Sequence, residues 1–191
     1  MADQLCTPED LATLLGQPAD ARMTLLVEIG TAVVQAETGQ RLVEVVDDPV
    51  TLLGTTDAWL DLPQRPVTAV TSVSVDGQAI SEGTTTGTYR RFGARLWRDC
   101  GWATCWTEPS TVEVVNTHGY APTAQELQLA RGAVLSIIRS WWDNTAGVRS
   151  ERVDDYAVTY EQIAAQLEAS PSLRAALRRQ YGRRAGLVRV G

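Results

Sequence analysis

The sequence has no lysine, and all 17 of its basic residues are arginine. Arginine makes fixed, forked contacts with carboxylates, whereas lysine is a flexible and strongly hydrated cation. A coding sequence rich in G and C would give the same bias without a functional cause. Both explanations, a use of arginine for such contacts and a bias of base composition, stay open at this point.

Long apolar runs are also missing, because none approaches the roughly 18–20 residues of a membrane helix. The N-terminal segment MADQLCTPED is acidic and has no apolar core. We therefore expect no secretory signal, no membrane partner and a soluble protein of the cytosolic type. The three cysteines, Cys6, Cys100 and Cys105, are too few and too scattered for a disulfide framework.

Residues for catalysis and metal binding are scarce. The single histidine, His118, would have to serve as the base of any serine or cysteine hydrolase. The sequence has neither a G-x-S-x-G elbow nor a phosphate-binding glycine loop. His118 with Cys100 and Cys105 supplies too few ligands for zinc. We therefore expect no catalytic residues, no metal and no cofactor, and interpret His118 as structural.

Charge is divided unevenly along the chain. Residues 1–170 hold eleven Arg and all 23 acidic residues, a net charge of −12, whereas residues 171–191 hold six Arg and no acid. A basic tail on an acidic body indicates docking on an acidic partner. The alternative is a basic helix end that suits the helix dipole, followed by unstructured chain.

The spacing of apolar residues predicts an α+β fold. Helical periodicity predicts helices at about 8–15, 19–38, 124–142 and 171–181. Thr7 and Thr123 provide the capping patterns of the first and third helices. Runs rich in Val and Thr predict strands at 42–46, 58–62, 67–75, 88–92 and 111–117. Asp76-Gly77 predicts a hairpin turn.

Arginine and tryptophan are concentrated together near residue 100. The set comprises Arg90, Arg91, Arg95, Arg98, Trp97, Trp102 and Trp106. Such residues stack on single-stranded nucleic acid, so a nucleic-acid-binding accessory protein is the alternative function. The acidic body would repel phosphates, and Trp and Arg also dominate protein–protein contacts. The pattern therefore favours a protein partner.

Four segments carry a family resemblance: LLVEIGTAVVQAETGQ, LDLPQRPVTAVTSVSVDG, VEVVNTHGYAPTAQELQLA and SERVDDYAVTYE. In this order, over about residues 5–160, they resemble the head-to-tail connector (adaptor) proteins of tailed bacteriophages, with relatives in prophage remnants and gene-transfer agents. The resemblance implies a helical adaptor scaffold at 1–40 and 121–181. It also implies a β-rich subdomain at 41–120, inserted between the second and third helices. The stretch 97–106 has no counterpart in the family.

The same resemblance implies a structural role in the virion. Family members form a ring, typically dodecameric, that docks on the portal protein at the head–tail interface. The ring extends the DNA channel and is the platform for the next connector (stopper) or the tail. DNA passes through it without sequence-specific binding. Before assembly, such a protein is in the host cytoplasm.

Two groups of residues are the candidate contact sites. Tyr156, Val158 and Tyr160 alternate on one face, which predicts a short strand or an extended arm at about 151–161. The arm is expected to reach a neighbouring subunit through Glu151, Asp155, Tyr156, Val158 and Tyr160; the alternative is a strand of the subunit's own sheet. The basic end, with a docking tail at 182–191, is expected to bind the portal and to add a short β segment to a sheet edge. Its candidate residues are Arg174, Arg178, Arg179, Tyr181, Arg183, Arg184, Leu187, Val188, Arg189 and Val190.

Overall fold

The computed structural model describes residues 4–104, 108–145 and 156–182. The predicted α+β class is confirmed, with five α-helices and seven strands in these residues. The chain divides into two units. The helical unit extends up to Leu42 and resumes at Pro122, and the β unit is Val43–Ala121. In the sequence, the β unit therefore lies between the second and third helices.

The helical unit contains α1 (Pro8–Leu15), α2 (Ala21–Thr38), a 3-10 turn (Gln125–Leu127), α3 (Gln128–Thr145), α4 (Tyr156–Glu168) and α5 (Pro171–Tyr181). The four predicted helices are confirmed. At α1, Thr7 Oγ1 accepts a hydrogen bond from the Asp10 amide, and the Asp10 carboxylate accepts one from the Thr7 amide. This reciprocal capping fixes where the helix begins.

Two predictions in this unit are wrong. The capping box at Thr123 does not form, because the chain enters the 3-10 turn after Ala124, which makes no capping hydrogen bond through its side chain. The segment from Tyr156 to Tyr160 is not extended but forms the first turns of α4. The helix is stabilised by a buried stripe at a spacing of four residues, Thr159, Ile163 and Leu167. Residues 151–155 lie outside the described part of the chain.

The helices pack around a close approach between α2 and α3. A Cβ atom added to Gly30 of α2 would lie 2.9 Å from both Ile138 Cδ1 and Val134 Cγ1 of α3. A larger residue at this position would require these side chains to shift, so glycine allows the two helices to come this near each other. Around this crossing, α4 and α5 also pack against α2.

The β unit contains β1 (Val45–Gly54), β2 (Trp59–Asp61), β3 (Val67–Val75), β4 (Gln78–Ile80), β5 (Tyr89–Phe92), β6 (Arg95–Arg98) and β7 (Ser110–His118). They form two antiparallel sheets with strand orders β1-β7-β3-β4 and β2-β6-β5. The Asp76-Gly77 hairpin is confirmed, with φ of 48° and 77° at its two residues. The spacing of residues in the sequence does not predict β6, and it predicts only the start of β1.

The two sheets bury their inner faces in one shared core. Leu60 and Leu96 enter it from the three-stranded sheet, and Val73 and Val114 enter it from the four-stranded sheet. Trp102 is fully buried in this core, and its indole N–H donates to the Ala58 carbonyl at 3.1 Å. The outer faces of the two sheets therefore point away from each other.

Candidate interaction surfaces

The outer face of the three-stranded sheet combines arginine with exposed aromatic rings. Strand register places Trp59, Trp97 and Arg90 in one row and Asp61, Arg95 and Phe92 in the next. Directly paired residues of antiparallel strands share one side of the sheet. We call this surface the basic face and define it by Trp59, Asp61, Arg90, Phe92, Arg95 and Trp97.

The arginines of the basic face lie over indole rings. Arg90 Cζ is 4.8 Å from the centroid of Trp97, and Arg95 Cζ is 4.7 Å from that of Trp59. Arg95 Nε also lies 2.9 Å from Asp61 Oδ1. Such stacking holds a guanidinium in a fixed position while its N–H donors remain available to a carboxylate or a phosphate.

The outer face of the four-stranded sheet carries the opposite charge. On β7, Glu113 pairs in register with Thr51 of β1 and Ser74 of β3, and its carboxylate accepts a hydrogen bond from Ser74 Oγ at 3.1 Å. On β1, the Asp47 carboxylate accepts one from Thr71 Oγ1 at 2.5 Å. We call this surface the acidic face and define it by Val46, Asp47, Leu53 and Glu113.

Charge in the β unit is separated between its two sheets. Strands β2, β5 and β6 contain four arginines and one acid, Asp61. Strands β1, β3, β4 and β7 contain three acids and no arginine; the acids are Asp47, Asp48 and Glu113. This separation of charge is not visible in the sequence, because strands of the two sheets alternate along the chain.

Three of the predicted portal-docking residues have partners inside the helical unit. Arg174 Nε and Arg178 Nε lie 3.1 Å and 2.6 Å from Glu37 Oε1. The hydrogen bond to Glu37, together with its negative charge, raises the pKa of Arg174 above its ordinary value. Tyr181 is buried, and its hydroxyl donates to the Glu126 carbonyl. These contacts attach α5 to the rest of the unit.

The remaining candidates are only partly described. Arg179 of α5 is exposed, whereas Arg183, Arg184, Leu187, Val188, Arg189 and Val190 lie outside the described residues. Of the arm candidates, Tyr160 is half-buried on α4, and Glu151 and Asp155 lie outside the described residues. Tyr156 and Val158 belong to the first turn of α4. The intermolecular roles of all these residues stay predictions.

The solitary histidine has a structural position. His118 is fully buried at the end of β7, and its Nε2 lies 2.9 Å from Asp48 Oδ2. The other polar group of chemical interest, the thiol of Cys6, is also buried, and burial raises its pKa to about 12. That thiol is therefore neutral near pH 7 and a poor nucleophile.

The described residues contain neither a metal-binding cluster nor a membrane-spanning helix. Across 4–104, 108–145 and 156–182, no three side chains of His, Cys, Asp or Glu are grouped closely enough to hold a metal ion. Over the same ranges, every helix is too short or too polar to span a bilayer.

Comparison with known proteins gives a likeness of fold. Neither a protein-family model nor a curated protein matches this chain. The chain is similar to one from the virion of a native gene transfer agent particle, with a TM-score of 0.51 and 16% identity over 96% of this chain and 92% of that chain. It also matches a chain in the neck of an empty gene transfer agent particle computed with C6 symmetry. That match has a TM-score of 0.46 and 15% identity over 83% of this chain and 88% of the other.

Proposed function

We propose that this protein is a structural head-to-tail connector of a phage-like particle. In this role it forms a ring on the portal vertex, extends the DNA channel and is the platform for the next connector or the tail. The main support is its likeness in fold, over nearly the whole of both chains, to a chain of a gene transfer agent virion. The connector-like order of four sequence segments supports the same role.

A connector works by binding and not by turnover. A closed ring requires two different contact patches on each subunit, so that one patch meets the other patch on the next copy. The outer faces of the β unit differ in charge and point in different directions, as such patches must. This property supports a role in assembly over a role in catalysis.

We assign portal docking to the basic end of the chain. Arg174 and Arg178 pair with Glu37 and so position α5. The exposed Arg179 lies on this positioned helix, and the basic segment 183–191 follows the helix in the sequence. Their charge complements an acidic portal surface, and Leu187–Val190 has the composition of a strand that adds to a sheet edge.

The segment 151–161 remains our candidate for a second contact between subunits. From Tyr156 onward this segment belongs to α4, so a contact made by Tyr156, Val158 or Tyr160 involves a helix and not a strand. The candidate residues are those of the predicted arm: Glu151, Asp155, Tyr156, Val158 and Tyr160.

The test is binding to the portal of the same particle. The full chain and a variant lacking residues 183–191 are mixed with purified portal and separated on a density gradient, and the portal fractions are imaged by negative stain. We expect the full chain to add an annulus to the portal, and the truncated chain to keep its circular dichroism spectrum but not bind. Arg139→Ser, at an exposed arginine of α3, is the control and should bind normally. A full chain that never associates with the portal would refute the proposal.

The arginine–tryptophan stacks support one other candidate function, a nucleic-acid-binding accessory protein. That function predicts a salt-dependent shift of DNA in a gel. The net charge of −6 opposes it, and we rank it second.

A further inference from the structure

We propose that the β unit carries both halves of the contact between neighbouring copies in the ring, so that the basic face of one copy binds the acidic face of the next. This inference rests on the proposed ring and names the surfaces that build it. The partner is a second copy of this chain.

Exposed apolar side chains are concentrated on the two outer faces of the β unit. In the described part of the chain, four large hydrophobic side chains are exposed, and all belong to the β unit. Trp59 and Phe92, 41% and 52% exposed, lie on the basic face, while Val46 and Leu53, 66% and 71% exposed, lie on the acidic face. Exposed apolar groups with a polar surround are typical of protein contact sites. Each face therefore has two apolar anchors.

The two outer faces also differ in charge. Arg90 and Arg95 lie on the basic face with one acid, Asp61, whereas the acidic face carries Asp47 and Glu113, so the two outer faces have net charges of opposite sign. Complementary charge orients an approaching partner and disfavours wrong contacts. Each face would repel its own counterpart in a symmetric, face-to-face dimer. The arrangement instead favours a head-to-tail contact between unlike faces.

The directions of the two outer faces also suit a ring. The two sheets share one core, so their outer faces point away from each other. In a ring of many copies, the two contact patches of each subunit must face nearly opposite directions, because the rotation between neighbours is small. Two adjacent patches on one side of the unit would not satisfy this requirement.

Two residues on these faces are suited to a test. Within the described residues, Arg90 contacts the Trp97 ring and makes no ion pair with a carboxylate. On the other face, the side chain of Glu113 is exposed and accepts its hydrogen bond from Ser74. Reversing either charge therefore removes little from the fold of the subunit itself.

The experiment compares Arg90→Glu and Glu113→Arg, alone and mixed. Assembly of the full chain, with and without portal, is followed by mass photometry over a range of protein concentrations. Each variant alone places like charges in the contact, and we expect the concentration for half-assembly to rise at least about tenfold. In an equimolar mixture, alternating copies bring the two substituted side chains together at one contact and the two unsubstituted ones together at the next. Every contact then joins opposite charges, so we expect assembly to return toward the wild-type concentration.

The controls separate charge from fold. Arg90→Lys keeps the positive charge and should assemble nearly as the wild type does. Glu82→Arg makes the same charge change as Glu113→Arg, but in the exposed connection between β4 and β5, and should also assemble. Circular dichroism spectra that match the wild type show that each variant is folded.

The possible results are distinguishable. Wild-type rings together with unaffected single variants would overturn this inference and leave the proposed function in place. Weak assembly by both variants without recovery in the mixture would overturn it as well. A wild-type chain that forms no ring even with the portal would refute the proposed function and this inference together. Normal assembly of Arg90→Glu with loss of a DNA gel shift would assign the basic face to nucleic acid instead.

Discussion

Arg178 Nε lies 2.6 Å from Glu37 Oε1, and this ion pair joins α5 to α2. Arg174 contacts the same oxygen at 3.1 Å, so a single carboxylate that is only 11% exposed holds two arginines. The arginine-rich end of the chain thus begins with internal contacts. The charge available to a partner starts further along, at Arg179.

Glu37→Gln is expected to loosen α5 selectively. The substitution keeps the size of the side chain but removes the charge that attracts Arg174 and Arg178. Because partly exposed ion pairs are weak, we expect amide hydrogen exchange in α5 to become about three- to fivefold faster, with little change in α3. Hydrogen exchange with mass spectrometry measures both helices. Glu161→Gln, at an exposed position of α4, is the matched control, and equal protection of α5 in all three proteins would contradict the expected role of Glu37.

Two glycine substitutions should have opposite effects on stability. Gly30→Val places its side chain against Val134 and Ile138 at the α2–α3 crossing, and we expect it to lower the free energy of unfolding by roughly 2 kcal/mol. At Gly132 of α3, an added Cβ would meet no described heavy atom within 4 Å. Gly132→Ala should therefore raise the free energy of unfolding by up to about 1 kcal/mol. Urea unfolding measures both. A tolerated valine at position 30 would mean that the two helices do not approach as closely as described.

Alanine substitutions at two tryptophans of the β unit should affect different properties, stability at Trp102 and assembly at Trp59. Trp102 is buried and donates a hydrogen bond to Ala58, so Trp102→Ala should lower the free energy of unfolding by about 3–5 kcal/mol. Trp59 is exposed on the basic face, so Trp59→Ala should cost less than about 1 kcal/mol and instead weaken assembly. Urea unfolding and mass photometry provide the two readouts. A stable Trp102→Ala protein would contradict the shared core of the two sheets.

Asp76 should contribute to the acid sensitivity of the fold. Hydrogen bonds from Thr104 Oγ1, first, and from the Thr111 amide lower the pKa of Asp76 below its ordinary value. A carboxylate with a depressed pKa stabilises the folded state above the pKa of the unfolded chain, about 3.9 for Asp. This contribution is lost as the pH falls through the lower pKa of the folded state.

Asp76→Asn is the substitution that tests this contribution, since asparagine tolerates the positive φ of the turn. We expect the variant to be less stable than the wild type at neutral pH and to lose less stability as the pH falls below about 4. Chemical denaturation at a series of pH values provides the measurement. If the difference between the two proteins does not change with pH, the carboxylate charge is not responsible.

Local signals in the sequence predicted much of the fold. The Thr7 cap, the glycine after α2 and the Asp76-Gly77 turn depend on nearby residues, and the structure confirms them. The course of β1 was hidden by Pro49, which an edge strand tolerates but a central strand does not. At the start of α4, the alternation of Tyr156, Val158 and Tyr160 predicts a short strand or an extended arm, because the buried stripe that marks the helix includes the polar Thr159.

The interaction surfaces are harder to predict from the sequence than the fold is. The sequence shows Arg90, Arg95 and Trp97 in one arginine–tryptophan cluster, but their position beside Trp59 depends on strand register between distant segments. The acidic face has no sequence motif, since Glu113 and Asp47 come together only through the order of strands. Both faces depend on tertiary pairing, which residue spacing does not encode.

The central claim is that copies of this chain form a ring on a portal, and the most direct measurement is electron cryomicroscopy of the full chain mixed with the portal of the same particle. The account predicts class averages with an additional annulus coaxial with the portal, in which neighbouring copies touch through their β units. Portal complexes without an annulus, beside monomers at every protein concentration, would contradict it.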